Sequence, residues 1–207
     1  MIYPQSNRLI HWIVDAYIKS SVTRHFYKIN FNPGEIDQNK SILLVANHFS
    51  IWDGLILYWI TRNFLGKKFH VMLLEETSKK EPFLKYVGAF SVSKGSRSIL
   101  QSIDYAAQLL TDPQNLVLIF PQGALHSNFV NDVKFEQGII KIMQKASNKF
   151  QLLYAATFTE NFQHKKPTAN VYLTQATNCT FEDIAALNAD YQQHYNAARQ
   201  RQTQIVL

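Results

Sequence analysis

Residues 41–46, Ser-Ile-Leu-Leu-Val-Ala, form an apolar run with no polar alternation. A strand with one wet face alternates apolar and polar side chains, whereas a strand covered on both faces reads as a continuous apolar run. Residues 116–120, Leu-Val-Leu-Ile-Phe, have the same character. Two such strands call for a sheet with helices on both faces, and segments of helical periodicity separate them. The spacing predicts helices over 7–29, 50–64, 78–87, 96–110, 135–149 and 180–201, and strands over 41–46, 69–74, 90–92, 116–120, 151–158 and 169–174. Ser78 with Glu81, and Thr180 with Asp183, are the expected capping pairs. Asn32-Pro33-Gly34 is a turn signal. The expected fold is α/β, a single domain with a largely parallel mixed sheet flanked by helices. An amino-terminal amphipathic helical segment, 1–34, precedes the main body, 35–207.

The chain's 207 residues are 46% hydrophobic and 17% charged, which excludes a disordered polypeptide. Its one cysteine, Cys179, rules out an internal disulfide and a cysteine-based zinc site, and reads as a buried small hydrophobe. A net charge of +6 points to an anionic partner. The paired lysines at 67–68, 79–80 and 165–166 are scattered rather than set in a stripe with aromatics, which argues against nucleic acid. No cleavable leader is evident. The run 9–18 is too short for a membrane span and is interrupted by His11 and Asp15. The 7–29 helix carries Leu9, Trp12, Ile13, Ala16 and Tyr17 at helical spacing among basic residues. Such a helix lies in a bilayer interface or packs on its own domain, and both readings stand at this point.

Three segments hold candidate chemistry. Asn47-His48-Phe49-Ser50-Ile51-Trp52-Asp53 follows the first buried strand, at the end of the sheet where α/β proteins place their sites. Histidine titrates near neutral pH, and a carboxylate can hold its ring in one tautomer. The competing reading makes Ser50 and Asp53 a capping box and leaves His48 satisfied by backbone. Phe120-Pro121-Gln122-Gly123 follows the 116–120 strand as a tight turn, ordinary or with amides turned toward an anion. Lys94 and Arg97, behind Gly88-Ala89-Phe90-Ser91-Val92-Ser93, are either phosphate ligands or solvated charges.

In this order the segments resemble the glycerolipid acyltransferase family, which includes the glycerol-3-phosphate and 1-acylglycerol-3-phosphate acyltransferases. Asn47, His48 and Asp53 match its Asn-His motif with an Asp five residues on. Gly88 through Lys94 resembles its Gly–strand–Arg motif, with Lys94 for Arg. Phe120, Pro121, Gln122 and Gly123 resemble Phe-Pro-Glu-Gly, with Gln122 for Glu, and Phe135-Glu136-Gln137-Gly138 resembles the Phe and Gly that open the next helix. The resemblance covers roughly residues 40–160. Two departures concern the acceptor. Ala124, Leu125 and His126 stand where phosphate-acylating members carry an Arg, and Leu152-Leu153-Tyr154-Ala155-Ala156 lacks the proline of a fourth motif.

The resemblance implies transfer of a fatty acyl group from an acyl-CoA or acyl carrier protein thioester to a hydroxyl of a lipid acceptor, without a cofactor. His48 is then the general base and Asp53 its partner. Asn47, Lys94, Arg97, Phe120, Pro121, Gln122 and Gly123 would bind substrate. The implied setting is the cytoplasmic face of a membrane, held peripherally. The default acceptor is a lysophospholipid. An aminolipid or a glycosylated carotenoid is the alternative, and a lapsed, lipid-binding pseudoenzyme is the rival outside catalysis.

Overall fold

The computed structural model describes residues 1–32, 34–93, 98–147, 149–176 and 183–206. Seven strands form one sheet in the order β1-β7-β6-β2-β5-β3-β4. They are β1 Lys28–Phe31, β2 Ser41–Ala46, β3 Lys68–Leu74, β4 Ala89–Val92, β5 Asn115–Ile119, β6 Phe150–Glu160 and β7 Thr168–Gln175. Every neighbouring pair is parallel except β6 with β7. The central strand β2 is buried along its whole length. Its Leu43 and Val45 join one apolar cluster, and Ile42, Leu44 and Ala46 join another on the opposite face. That two-sided burial is the physical reason for the unbroken apolar run.

Helices α4 Ser98–Leu109, α5 Gly138–Ala146 and α6 Ile184–Thr203 cover the first face. Helices α1 Arg8–His25 and α2 Ile51–Ile60 cover the second. Because β2 through β6 run the same way across the sheet's middle, the loops after β2, β3, β4 and β5 gather on one edge. At the other edge Lys67, almost wholly buried, donates to the carbonyls of Gln38, Lys40 and Pro113 at 2.8–3.1 Å and ties three loops together.

Several elements depart from the sequence reading. The 7–29 helix ends at His25, where Phe26 turns extended, and Lys28–Phe31 becomes β1 against β7. The α1 side chains Val14, Ile18 and Val22 are buried, so one face of that helix packs on its own domain. In place of one helix over 78–87, α3 Glu75–Lys80 follows β3 directly and a 3₁₀ segment covers Pro82–Val87. Pro82 disfavours helical geometry in the residue before it, and Glu81 sits at φ −119°, ψ 65°. Ser78 therefore lies inside α3 and no Ser78–Glu81 box forms. Helix α5 begins at Gly138, three residues later than expected, and the segment before it is tied down by the Phe135 amide donating to the Asn188 side chain and the Glu136 amide to the Pro121 carbonyl. It ends at Ala146, with Ser147 in the left-handed region. Asp183 caps α6, accepting from the Ala186 amide at 2.8 Å. Its expected partner Thr180, like Pro33, Ser96 and Cys179, lies outside the described residues.

Gly88 closes the 3₁₀ segment at φ +96°. A Cβ there would stand 1.9 Å from the Phe69 carbonyl oxygen, a backbone atom of β3 that cannot retreat without breaking the sheet. Gly88→Ala should therefore cost at least about 3 kcal/mol. Urea unfolding checks this: an unchanged midpoint would refute the clash.

Candidate active site

Asn47 is the first residue beyond β2 and is buried. Its side-chain amide mimics a strand neighbour: Nδ2 donates to the Thr157 carbonyl at 3.0 Å and Oδ1 accepts from the Thr157 amide at 2.8 Å. Both ends of the amide are engaged with β6, so Asn47 holds the loop in place and leaves His48 to face outward.

The loop then turns back into α2. The Asp53 carboxylate is fully buried and collects three donors on Oδ2: the Phe49 amide at 2.7 Å, the Ser50 amide at 2.9 Å and His48 Nδ1 at 3.0 Å. The Ser50 hydroxyl in turn accepts from the Trp52 amide at 2.9 Å. The two readings of Asp53 are thus both realised. One carboxylate completes the capping box of α2 and orients the imidazole. Burial raises the Asp53 pKa above its ordinary 3.8, and the imidazole and the two amides oppose that rise without cancelling it. Its Oδ1 is buried with no hydrogen-bond partner among the described residues.

A carboxylate accepting from Nδ1 puts the ring proton there and leaves Nε2 with its lone pair. Nε2 has no hydrogen bond among the described residues. The ring is held flat by Phe120, stacked at 4.0 Å between centroids and 17° between planes. The backbone of His48 is pinned by the turn after β5. Its amide donates to Gln122 Oε1 at 2.7 Å, and its carbonyl accepts from the His126 amide at 2.9 Å. Gln122, itself buried, therefore acts on His48 through the main chain. Gly123 has φ +62°, which explains a glycine at that position. Its amide closes its own turn on the Phe120 carbonyl at 3.2 Å, so this amide is not turned toward an anion as the tight-turn reading allowed.

A cavity of about 820 Å³ opens beside His48 and is walled almost wholly by apolar side chains. It reaches both faces of the sheet. On the α1/α2 face it is lined by Ile18, Leu55, Tyr58, Val71 and Leu84, and on the α4/α5 face by Ile99, Ile103, Ile119, Ile139 and Ile142. Phe120, Pro121 and Gly123 line it beside these two limbs, with Lys80 and Lys141 among the polar lining residues. The one sequence signal for these walls is a helix, α2, whose pocket face holds a glycine among large apolar residues. Lys94 and Arg97 lie outside the described residues. The Ser93 hydroxyl before them donates to Glu75, which is also paired with Lys79. The carboxyl of Glu75 is held down to about 2, first by Lys79 and then by Ser93.

Comparison with known proteins follows the same lines. The sequence pattern of a protein family described as Acyltransferase matches residues 28–158. A search of curated proteins gives no match. Among solved structures, the chain is similar to the 1-acyl-sn-glycerophosphate (LPA) acyltransferase PlsC of Thermotoga maritima, with a TM-score of 0.66 and 14% identity over 95% of this chain and 81% of that one. At that identity the likeness is one of fold.

Proposed function

Since the chain belongs to the acyltransferase family, we propose that it moves a fatty acyl group from a thioester of coenzyme A or acyl carrier protein to a hydroxyl of a lipid acceptor, 1-acylglycerol-3-phosphate being the first candidate. The observation that carries this reading is the His48–Asp53 pair with His48 lining a large, mostly apolar cavity. Nε2 of His48 takes the proton of the acceptor hydroxyl as its oxygen attacks the thioester carbonyl. The C–O bond forms, the C–S bond breaks, and the thiolate leaves with the proton returned by the imidazolium. Asp53 stabilises that imidazolium and fixes the tautomer. The apolar limbs take hydrocarbon, and Lys94 and Arg97 are assigned to the phosphate of acceptor or carrier.

The Ala124-Leu125-His126 stretch favours a second acceptor class. With no arginine in that stretch, a hydroxylated lipid without phosphate, such as an aminolipid or a glycosylated carotenoid, is also accommodated. Radiolabelled palmitoyl-CoA and palmitoyl–acyl carrier protein, offered with lysophospholipids and with extracted native lipids, decide between them. Label entering a lipid establishes transfer, and the product names the acceptor. Absence of transfer to any acceptor would overturn the enzyme in favour of the lipid-binding pseudoenzyme.

We further assign the outer face of the 1–34 segment to contact with a lipid surface, with 35–207 as the acyltransferase domain and the protein held peripherally on the cytoplasmic face of a membrane. No helix among the described residues is long and apolar enough to cross a bilayer. The outer face of α1 exposes Leu9, Trp12, Ile13 and Tyr17, with Trp12 and Leu9 each 67% exposed, beside Arg8 and Arg24. Two large side chains lost from a bilayer interface weaken partitioning by well over tenfold. The double change Trp12→Asp, Ile13→Asp should therefore release the protein from anionic vesicles in a sedimentation assay while the fold stays intact. Undiminished sedimentation would remove α1 from the role.

A further inference from the structure

Gly54 stands in the interior of α2, directly after Asp53. Glycine weakens a helix interior relative to alanine, so its presence calls for a reason. The backbone supplies none, because Gly54 is not among the glycines of positive φ. Protein packing supplies none either. A Cβ at this position would meet a single heavy atom within 4 Å, Phe120 Cε2 at 3.9 Å, an ordinary contact. What a side chain would occupy is the cavity. Gly54 lines it together with Ile51, Leu55 and Tyr58 of the same helix, opposite the ring that stacks on His48.

We propose that Gly54 is a specificity-determining position: its missing side chain keeps open the passage by which an unbranched alkyl chain runs from His48 past Phe120 into the limb between α1 and α2. The identity of that chain rests on the acyl-transfer reading above. It is either the acyl group of the donor or the hydrocarbon of the acceptor, and both have the chemistry the limb accepts. A side chain here narrows the passage next to the reacting centre, so substrates whose chain must traverse it lose the burial of every methylene beyond the block. Excluding two methylenes already corresponds to more than about tenfold in affinity.

The test uses Gly54→Ala and Gly54→Leu in the full chain. Gly54→Ala should unfold about 2 °C higher than wild type, since alanine strengthens the helix. That result separates the expected activity loss from damage to the fold. In one arm the acceptor is fixed and the donor runs from acetyl-CoA to palmitoyl-CoA. In the other the donor is fixed and the acceptor's own chain is shortened. Gly54→Leu should lower kcat/KM for the longest chain at least about tenfold relative to the shortest in one of the arms, which identifies the chain in the passage. Losses equal at all lengths in both arms, or no loss at all, overturn the proposal. Palmitate binding by calorimetry reads the passage without turnover. Wild type should bind at least about tenfold more tightly than Gly54→Leu, and equal or absent binding also overturns it. A wild type that binds palmitate with this discrimination but transfers nothing would instead sink the acyl-transfer reading and leave Gly54 in place.

Discussion

Purified His48→Ala protein is expected to lose ~10²–10⁴-fold in kcat, the typical range for removing a positioned general base, with little change in stability. The imidazole is a partly exposed group whose partners are one carboxylate oxygen and the face of Phe120, and neither anchors the core. The elements that place the ring survive its removal. The main chain of residue 48 stays tied to Gln122 and His126, and Asp53 keeps both loop amides. The loss should therefore fall on kcat rather than KM, because the cavity that binds the chains keeps its other walls intact. Single-turnover rates with enzyme in excess, alongside a thermal melt, separate the two quantities. Near-wild-type turnover in the folded variant would eliminate His48 as the base.

This site was legible in the sequence to the extent that local rules determined it. The apolar run of β2 fixed where a buried strand ends, and a histidine two residues beyond that end lies at the carboxyl edge of a parallel sheet. The five-residue spacing of His48 and Asp53 let one helical turn bring the carboxylate back to the ring. Helix cap and imidazole partner looked like rival explanations for Asp53 because local sequence treats them as alternatives. In space a single oxygen, Oδ2, satisfies both. What could not be read depends on contacts across large separations. Strand β1 is four residues long and is specified by its partner, β7, about 140 positions away. The segment before α5 is held by Asn188 and Pro121, which accept from the amides of Phe135 and Glu136. Gln122 looked like a substitution in an acceptor pocket, yet its oxygen serves the backbone of a residue 74 positions earlier. The requirement for Gly88 is likewise invisible without the carbonyl of Phe69 beside it.

Asp53→Asn should separate function from folding in the opposite sense to Gly88→Ala. An asparagine oxygen can still accept from the amides of Phe49 and Ser50, so the start of α2 remains capped. The same oxygen can still accept from His48 Nδ1, but the charge that stabilises the imidazolium is gone. Removing that charge should lower kcat on the order of 10²–10⁴-fold. Stability should move the other way. Burial holds the pKa of Asp53 above 3.8 in the folded chain, so at intermediate pH the folded state binds more protons than the unfolded one, and raising the pH through that window removes stability. Below about pH 4 both states are protonated and the carboxyl carries no penalty. As pH rises past the folded-state value, wild type should lose stability relative to the Asp53→Asn variant, and the difference should then level off. Melts from pH 4 to pH 8, paired with kcat at each pH, read both effects. A variant that is far less active and no less stable at neutral pH makes Asp53 a residue kept for its charge, whereas a variant that keeps its activity but melts early would reduce Asp53 to a helix cap.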